Sequence, residues 1–377
     1  MIQKKPRNQQ NQTGHNQTGG KLLGQGLYGC AFTPPLTCKT PDGHPVQTKD
    51  LVGKITATDD AILEFYASNA LKQLPNASKY FLLASTLCIP EPRSKQKEKD
   101  LEACEPLQNV RIPTMAQVLM PLGGTPLRMV PHNPRSIQYF PFCQHLLEAG
   151  ALLLLGNIVH YDLHVMNVLC DSPVSARIID FGMAWSPTLL TPDSVQNLYR
   201  MFNPVISQEP PEISYIFSTM DPTINQYPTI NFAKIQDTKP TIQLLAKVFG
   251  IRPSVQMSEL KAFLQDSVSY KKEDWYSFFR LYWSKIDAWA IGTILLALFV
   301  DMSMDPSFEQ TQMYKQHRIQ ALTAIKGLCR LDPGKRFDAI EALELWAPQS
   351  SVLQLPNAQA WLQSQKVLRS KLDQLRG

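Results

Sequence analysis

The spacing of apolar residues changes near residue 120, and that change limits the folds open to this chain. From 21 to about 120 the apolar runs are short. "LLGQGLYGCAF" reads as strand, tight glycine turn, strand; "DLVGKITAT", "YFLLAST" and "AQVLMPL" read as further strands. One segment there, "DDAILEFYASNALKQL", opens on acidic residues and carries apolar side chains at helical spacing. Beyond 125 the runs lengthen. "IQYFPFCQHLLEAGALLLLGN", "SKIDAWAIGTILLALFV" and "MYKQHRIQALTAIKGLCRL" read as helices, and an amphipathic helix occupies the C-terminal stretch 349–377. A strand-rich part followed by a helical part predicts an α+β chain of two lobes, a small antiparallel sheet with one helix and a larger helical body. The lobes, 21–120 and 121–348, meet at "PLGGTP", 121–126, where proline and glycine make a connector.

Composition narrows the partners. With 377 residues, 44% of them apolar, the chain can bury a sizeable core. Its longest apolar run, "AWAIGTILLALFV" at 288–300, is too short to span a bilayer, so no membrane span is expected. A net charge of +5 suits anionic ligands but makes no case for nucleic acid. The one dense charged run, "RSKQKEKDLE" at 93–102, reads as a solvated loop or helix start. Residues 1–20 are rich in Gln and Asn and nearly free of apolar side chains; they read as a disordered tail without signal-peptide character. Cysteines stand at 30, 38, 88, 104, 143, 170 and 329, odd in number and with no Cys-x-x-Cys pair. Neither a disulfide framework nor a thiolate zinc site is expected, and a reducing compartment follows.

Gly24, Gly26 and Gly29 form G-x-G-x-x-G. Glycines so spaced let backbone N–H groups approach phosphates without a Cβ in the way. A dinucleotide fold needs a helix directly afterwards; here "CAFTPPL" continues as strand and is broken by prolines. This is a strand–loop–strand glycine turn, with Ala31 where an adenine ring could pack. Lys54 sits in the apolar run "LVGKI". It is either an edge-strand lysine facing solvent or a phosphate-binding cation that needs an anionic partner, for which Glu64 in the following helix is the candidate.

"HYDLHVMN" at 160–167 carries two histidines four apart, a spacing that suits zinc on a helix. No glutamate follows His160, however, and the segment lies between Gly156 and the strand-like "NVL". Asp162 and Asn167 fit a catalytic loop of the form H-x-D-L-x-x-x-N. Thirteen residues after Asn167 comes "DFG", with Asp180 as a magnesium ligand and Asn167 as a second oxygen donor.

With these motifs in order, followed by "PPE" at 210–212, "DAWAIG" at 287–292 and "LDPGKRF" at 331–337, residues 20–348 resemble the protein kinase superfamily of the serine/threonine type. "GLYGCAFTPPLTC", "MPLGG" and a long insert after "PPE" look most like kinases of large nucleocytoplasmic DNA viruses. The resemblance implies a bilobal kinase-like fold and transfer of the γ-phosphoryl group of ATP, with Mg2+, to serine or threonine of a protein substrate. It implies that Lys54 holds phosphates and pairs with Glu64, that Asp162 accepts or orients the proton of the attacking hydroxyl, and that Asn167 and Asp180 hold the metal. Met120 would stand beside the adenine, with the Pro121 carbonyl and the Gly123 amide on its edge; Pro121 lacks only an N–H that this role does not use. Glu212 with Arg336, and Asp287, resemble scaffold residues. A cytoplasmic location is implied, the host's if the chain is viral, with packaging in the virion left open.

Three departures bear on function. Tyr161 replaces the arginine that commonly precedes the catalytic aspartate and meets a phosphorylated activation loop, so activity without such phosphorylation is expected. His164 replaces a lysine that touches the γ-phosphate, which keeps a small-molecule kinase of the aminoglycoside or choline type as an alternative, beside a pseudokinase scaffold. The ten-residue gap from Lys54 to Glu64 is short for the family. The insert at about 213–280 reads as an ordered subdomain on the helical lobe or as a platform for a partner protein; its aromatic stripe, Trp275, Phe278, Phe279, Tyr282 and Trp283, reads as core.

Overall fold

The computed structural model describes residues 21–26, 29–47, 50–96, 101–108 and 110–374, with side chains to residue 367. The tail read at 1–20, Tyr28 of the glycine turn and 97–100 of the charged run lie outside the described residues. The fold mixes antiparallel sheet with a larger helical portion. The chain divides into two compact units. One runs to Ala61 and takes in Thr86–Leu122; the other comprises Ile62–Ser85 and the chain from Gly123 onward.

The first unit is built on six strands, β1 (Lys21–Gln25), β2 (Cys30–Thr33), β3 (Cys38–Lys39), β4 (Leu51–Ala57), β5 (Thr86–Pro90) and β6 (Met115–Pro121), in the order β1-β2-β4-β6-β5-β3. Every neighbouring pair is antiparallel. The β1–β2 turn is closed by the Gly26 N–H donating to the Gly29 carbonyl at 2.9 Å. Gly29 is demanded by packing: a Cβ there would overlap the Ile55 carbonyl. β4 and β6 pair in register from Leu51↔Pro121 to Ala57↔Met115. Phe32, Leu36, Ile55, Leu101, Leu107 and Ile112 form a core around β2. The buried Gln117 of β6 ties down the chain after the prolines that end β2: its Oε1 accepts from the Leu36 N–H at 3.1 Å and its Nε2 donates to the Leu36 carbonyl at 2.9 Å.

Two expectations are corrected here. Cys30 is bonded to Cys104 and Cys38 to Cys88, with Cα separations of 6.2 and 5.8 Å. The partners lie 74 and 50 residues apart, so no local spacing announces them. The sheet brings them together, Cys38 pairing opposite Pro90 on the strand that holds Cys88. Cys143, Cys170 and Cys329 remain as thiols, which accounts for the odd count. The argument for a reducing compartment loses its basis. The run "YFLLAST" is not a strand either. Tyr80 ends a short helix, Phe81 makes a single bridge to Ile178, and β5 begins only at Thr86. The apolar side chains of Phe81 and Leu83 serve the core of the second unit instead.

Helix α1 (Thr58–Leu71) follows β4, and α2 (Ala77–Tyr80) follows α1. The second unit centres on α3 (Tyr139–Leu155), which is apolar almost all round and accordingly buried on nearly every face. Gly150 lets α3 lie close to its neighbours, since a Cβ there would meet Ile291 and Ala339. A three-stranded sheet, β7 (Thr125–Pro126), β8 (Val168–Ser172) and β9 (Ser175–Ile178), flanks the loop that follows α3. Then come α4 (Pro211–Met220), α5 (Pro228–Thr238), α6 (Pro240–Phe249), α7 (Pro253–Asp266), α8 (Val268–Lys271), α9 (Trp275–Tyr282), α10 (Ile286–Met302), α11 (Pro306–Gln310), α12 (Gln312–Leu328), α13 (Ala339–Trp346) and α14 (Pro356–Gln374). Among the described residues, no helix is long and apolar enough to cross a membrane.

The insert is an ordered part of this unit. Its Ile235, Ile242, Leu260, Phe263, Phe278 and Phe279 share one core with α3 and α10. Trp275, Tyr282 and Trp283 pack half-buried against it, so the aromatic stripe is core.

Candidate active site

The first unit gathers the glycine turn, Ala31, Lys54, Met120 and Pro121 on four adjacent strands. Ala31 lies opposite both Gly24 and Lys54, and Lys54 lies opposite Val118. Lys54 is half-buried and Ala31 beside it likewise, while Met120 is buried opposite Val52. Pro121 ends β6 on an exposed position. Gly24 and Gly26 differ from Gly29: among the described residues nothing lies within 4 Å of where their Cβ atoms would stand. Packing does not explain those two glycines. Glu64, buried in α1, and Gly123 fall within the other unit. Gly123 is held between Leu82 and Leu169, which leave no room for a Cβ.

The second unit gathers Asp162, His164, Asn167 and Asp180. α3 stops at Gly156, and Asn157 turns the chain with φ of 52°. Val159 then bridges Trp185 in both directions, at 2.9 and 3.0 Å. The loop is suspended from α10: the His160 N–H donates to Asp287 Oδ2 at 2.6 Å and the Tyr161 N–H to Oδ1 at 3.0 Å. Burial pushes the Asp287 carboxyl up, against the pull of His160, these two N–H groups and Arg200. His160 is fully buried and acts as a bolt. Its Nε2 donates to the Ile179 carbonyl at 2.9 Å, and its Nδ1 accepts from the Asp162 N–H at 3.3 Å, the tautomer this pairing requires. Tyr161 has φ of 68°, an unusual conformation for a side chain of its size. Asp180 has the same φ, so both motifs turn through the left-handed region.

Asp162 is flanked on both carboxylate oxygens. His164 Nε2 lies 3.6 Å from Oδ2 and 3.3 Å from Asn167 Nδ2, and its Nδ1 faces the Met166 N–H at 3.1 Å. Arg200 Nη1 lies 3.5 Å from Oδ1. Burial by itself would raise this carboxyl; the bond to His164 and the charge of Arg200 outweigh it and hold Asp162 down to about 2. The group is a fixed anion at any ordinary pH. It can orient a hydroxyl, and it is a weak base.

The metal ligands implied by the resemblance fit the local geometry in one respect. Asn167 donates through Nδ2 to the Asp162 carbonyl at 2.9 Å, which orients the amide so that its oxygen is left to accept a cation. The Asn167 carbonyl accepts from the Ile179 N–H at 3.0 Å and so links the loop to the residue before Asp180. Phe181 is buried, its ring 5.1 Å from that of His160 and 6.0 Å from that of Phe81. Among the described residues, no three His, Cys, Asp or Glu side chains group as a metal site.

Glu212 and Arg336 form a doubly bonded pair, and Arg336 also donates to the Arg330 carbonyl at 2.7 Å and the Lys285 carbonyl at 3.2 Å. Two residues that the sequence did not single out join this region. Arg200 is the first. The second is Lys239, at the junction of α5 and α6 in the insert, whose Nζ donates to the carbonyls of Ile206 and Glu209 at 2.8 and 2.9 Å. Full burial drives the Lys239 ammonium down to about 8, against the pull of Glu209 and Glu212. Neither belongs to a motif, and no spacing rule connects Arg200 to a loop 38 residues earlier. A lysine in an otherwise mildly amphipathic helix pair carries no signal of burial.

No protein-family model matches this chain, and no curated protein sequence matches it.

Proposed function

We propose that this chain is a phosphotransferase that uses ATP and Mg2+ to phosphorylate serine or threonine hydroxyls of proteins, with the two lobes of a protein-kinase fold at 21–120 and 121–348. One observation carries this reading: Asp162 is held ionised between His164 and Arg200 while its carbonyl orients the Asn167 side-chain amide, and the Asn167 main-chain carbonyl accepts from the N–H of the residue before Asp180. A hydroxyl orienter, one metal-binding oxygen and the backbone of a second ligand are thus tied into one rigid loop.

In this reading Asp162 aligns the acceptor hydroxyl, Asn167 and Asp180 hold the metal, and Lys54 with the turn of Gly24, Gly26 and Gly29 holds the phosphates. Met120, Pro121 and Gly123 receive the adenine. When bound, magnesium neutralises charge on the phosphoryl group in transit. A protein substrate is favoured over a small molecule by the segment 198–212. It is braced by Lys239, by the Trp289 Nε1 donating to the Ser207 carbonyl at 2.9 Å, and by the Glu212–Arg336 pair, as a docking platform must be.

The test is incubation with radiolabelled ATP and magnesium, with and without mixed protein substrates, beside Asp162→Asn and Asp180→Ala. Label on serine or threonine that vanishes in both variants is expected. ATP consumed only with a small hydroxylated acceptor would assign the small-molecule alternative. Nucleotide binding with no turnover on any acceptor would leave a pseudokinase.

A further inference from the structure

Arg200 packs against the loop that carries Asp162. Its Nη1 lies 3.5 Å from Asp162 Oδ1, and its Nη2 donates to the Tyr161 carbonyl at 2.7 Å. The guanidinium carbon stands 4.3 Å from the centre of the Tyr161 ring, within cation–π range. Met183 Sδ closes a further side, 3.5 Å from Nη2. The side chain is 16% exposed, and its Nε is buried with no partner among the described residues. Tyr161 returns the grip: its hydroxyl donates to the Leu198 carbonyl at 2.6 Å, two residues before Arg200. The catalytic loop and the segment 198–200 therefore hold each other through two residues.

We infer that Arg200 is a positioning residue for the transfer step, a permanent positive charge that the segment after "DFG" folds back onto Asp162 and locks there through Tyr161. This rests on the phosphotransferase reading above. The chemistry explains the pairing. The loop itself carries tyrosine and histidine at 161 and 164, and neither supplies a charge independent of pH near neutrality. An arginine does, and its planar head can bond a carbonyl, face a carboxylate and stack on an aromatic ring at once. Tyr161 is what a loop needs to receive such a head: a flat face for the cation and a hydroxyl to bind the backbone that delivers it. The segment is anchored by a cation it carries itself, the reverse of a phosphate meeting a loop arginine.

The experiment compares wild type with Arg200→Ala, Arg200→Lys and Tyr161→Phe, measuring kcat and KM for ATP and for a protein substrate, and hydrogen exchange across 158–206. Arg200→Ala is expected to lower kcat about 100-fold, the usual cost of a misplaced reacting group, with KM for ATP changed less than about threefold. Millimolar guanidinium chloride should restore part of kcat in Arg200→Ala and do nothing to wild type, a response that a purely structural role would not give. Arg200→Lys should fall between, and Tyr161→Phe should loosen 198–200 while keeping the stack. Unchanged kcat in Arg200→Ala, or a loss without rescue in a variant whose 158–206 exchange is that of wild type, would overturn the inference. Should wild type transfer phosphate to nothing, the phosphotransferase reading fails and the inferred role in transfer fails with it. Exchange then tells the two apart: loosening of 158–168 in Arg200→Ala would retain the lock, and wild-type protection would remove that as well.

Discussion

Glu212 and Arg336, 124 residues apart in sequence, meet through two parallel hydrogen bonds of 2.7 and 2.8 Å with both side chains shut off from water. Such a pair is costly to break because the surviving partner is left as an unpaired buried charge. Glu212→Gln or Arg336→Met should each lower the unfolding free energy by about 3–5 kcal/mol in denaturant titrations. The double variant Glu212→Met with Arg336→Met should recover only part of this. Arg336 also caps the Arg330 and Lys285 carbonyls and stacks 5.0 Å over Trp289, and those contacts are lost in either case. Full recovery would mean that the ion pair alone mattered.

Asp162 sets a pH dependence whose sign is fixed. Its folded-state value of about 2 lies below the ordinary 3.8, so between these values the unfolded chain binds the extra proton. The stabilisation is complete above about pH 4 and is lost as the pH falls through about 2, in all about 2 kcal/mol. Measured without nucleotide or magnesium, the stability difference between wild type and Asp162→Asn should shrink as the pH falls below about 4. Arg200→Met or His164→Ala should move that shrinkage to higher pH. Shrinkage at the wild-type pH in both variants would contradict the assignment of these two neighbours.

The disulfides give a prediction that needs no activity. A thiol titration of the denatured chain should find three reactive cysteines before reduction and seven after. Reduction, or Cys38→Ser with Cys88→Ser, should destabilise the first unit by about 2–5 kcal/mol. Seven thiols at the outset would remove both bridges.

The glycines separate a packing role from a binding role. Gly29→Ala should destabilise the sheet, because its new methyl overlaps the Ile55 carbonyl in the neighbouring strand. Gly24→Ala and Gly26→Ala meet no neighbour among the described residues, so the melting temperature should stay within about 2 °C. If their backbone receives phosphates, KM for ATP should still rise. Equal melting and equal KM would leave these two glycines without a role in nucleotide binding.

The candidate loop was legible because its residues are contiguous: "HYDLHVMN" holds Asp162, His164 and Asn167 within eight residues, and local hydrogen bonds arrange them. β4 and α3 were legible because their apolar spacing is regular and each is buried as that spacing demands. Long-range pairing was not legible. Nothing near Cys38 announces Cys88, and nothing near Asp162 announces Arg200. "YFLLAST" misled for a related reason: Phe81 is apolar because its ring meets Phe181 at 6.0 Å, a contact with a distant loop of the same unit that a strand-like pattern cannot reveal. Lys239 is the extreme case, a charged residue whose ammonium is bonded to two carbonyls 33 and 30 positions earlier.

That lysine bears on the last prediction, which concerns what orders the segment after "DFG". Contacts along its length hold it, among them Val159 with Trp185, Tyr161 with Leu198, Arg200 with Tyr161, and Lys239 with the carbonyls of Ile206 and Glu209. The hydroxyls of Ser186 and Thr188 bond to each other at 2.8 Å, and those of Thr191 and Ser194 at 3.0 Å, as capping groups do in a turn. Replacing Ser186, Thr188, Thr191 and Ser194 by alanine and Tyr199 by phenylalanine should therefore leave kcat within about threefold, beyond a small loss of stability from the turns. Lys239→Met should act oppositely. It leaves two buried carbonyls without a donor and Glu209 without its cation, so the segment should loosen and KM for a protein substrate should rise about tenfold or more, with KM for ATP little changed. Loss of activity in the phosphorylation-silent variant, reversed by acidic replacements at the same positions, would show that the segment is ordered by phosphate after all. A silent variant that works beside a Lys239→Met that fails assigns the ordering to the insert.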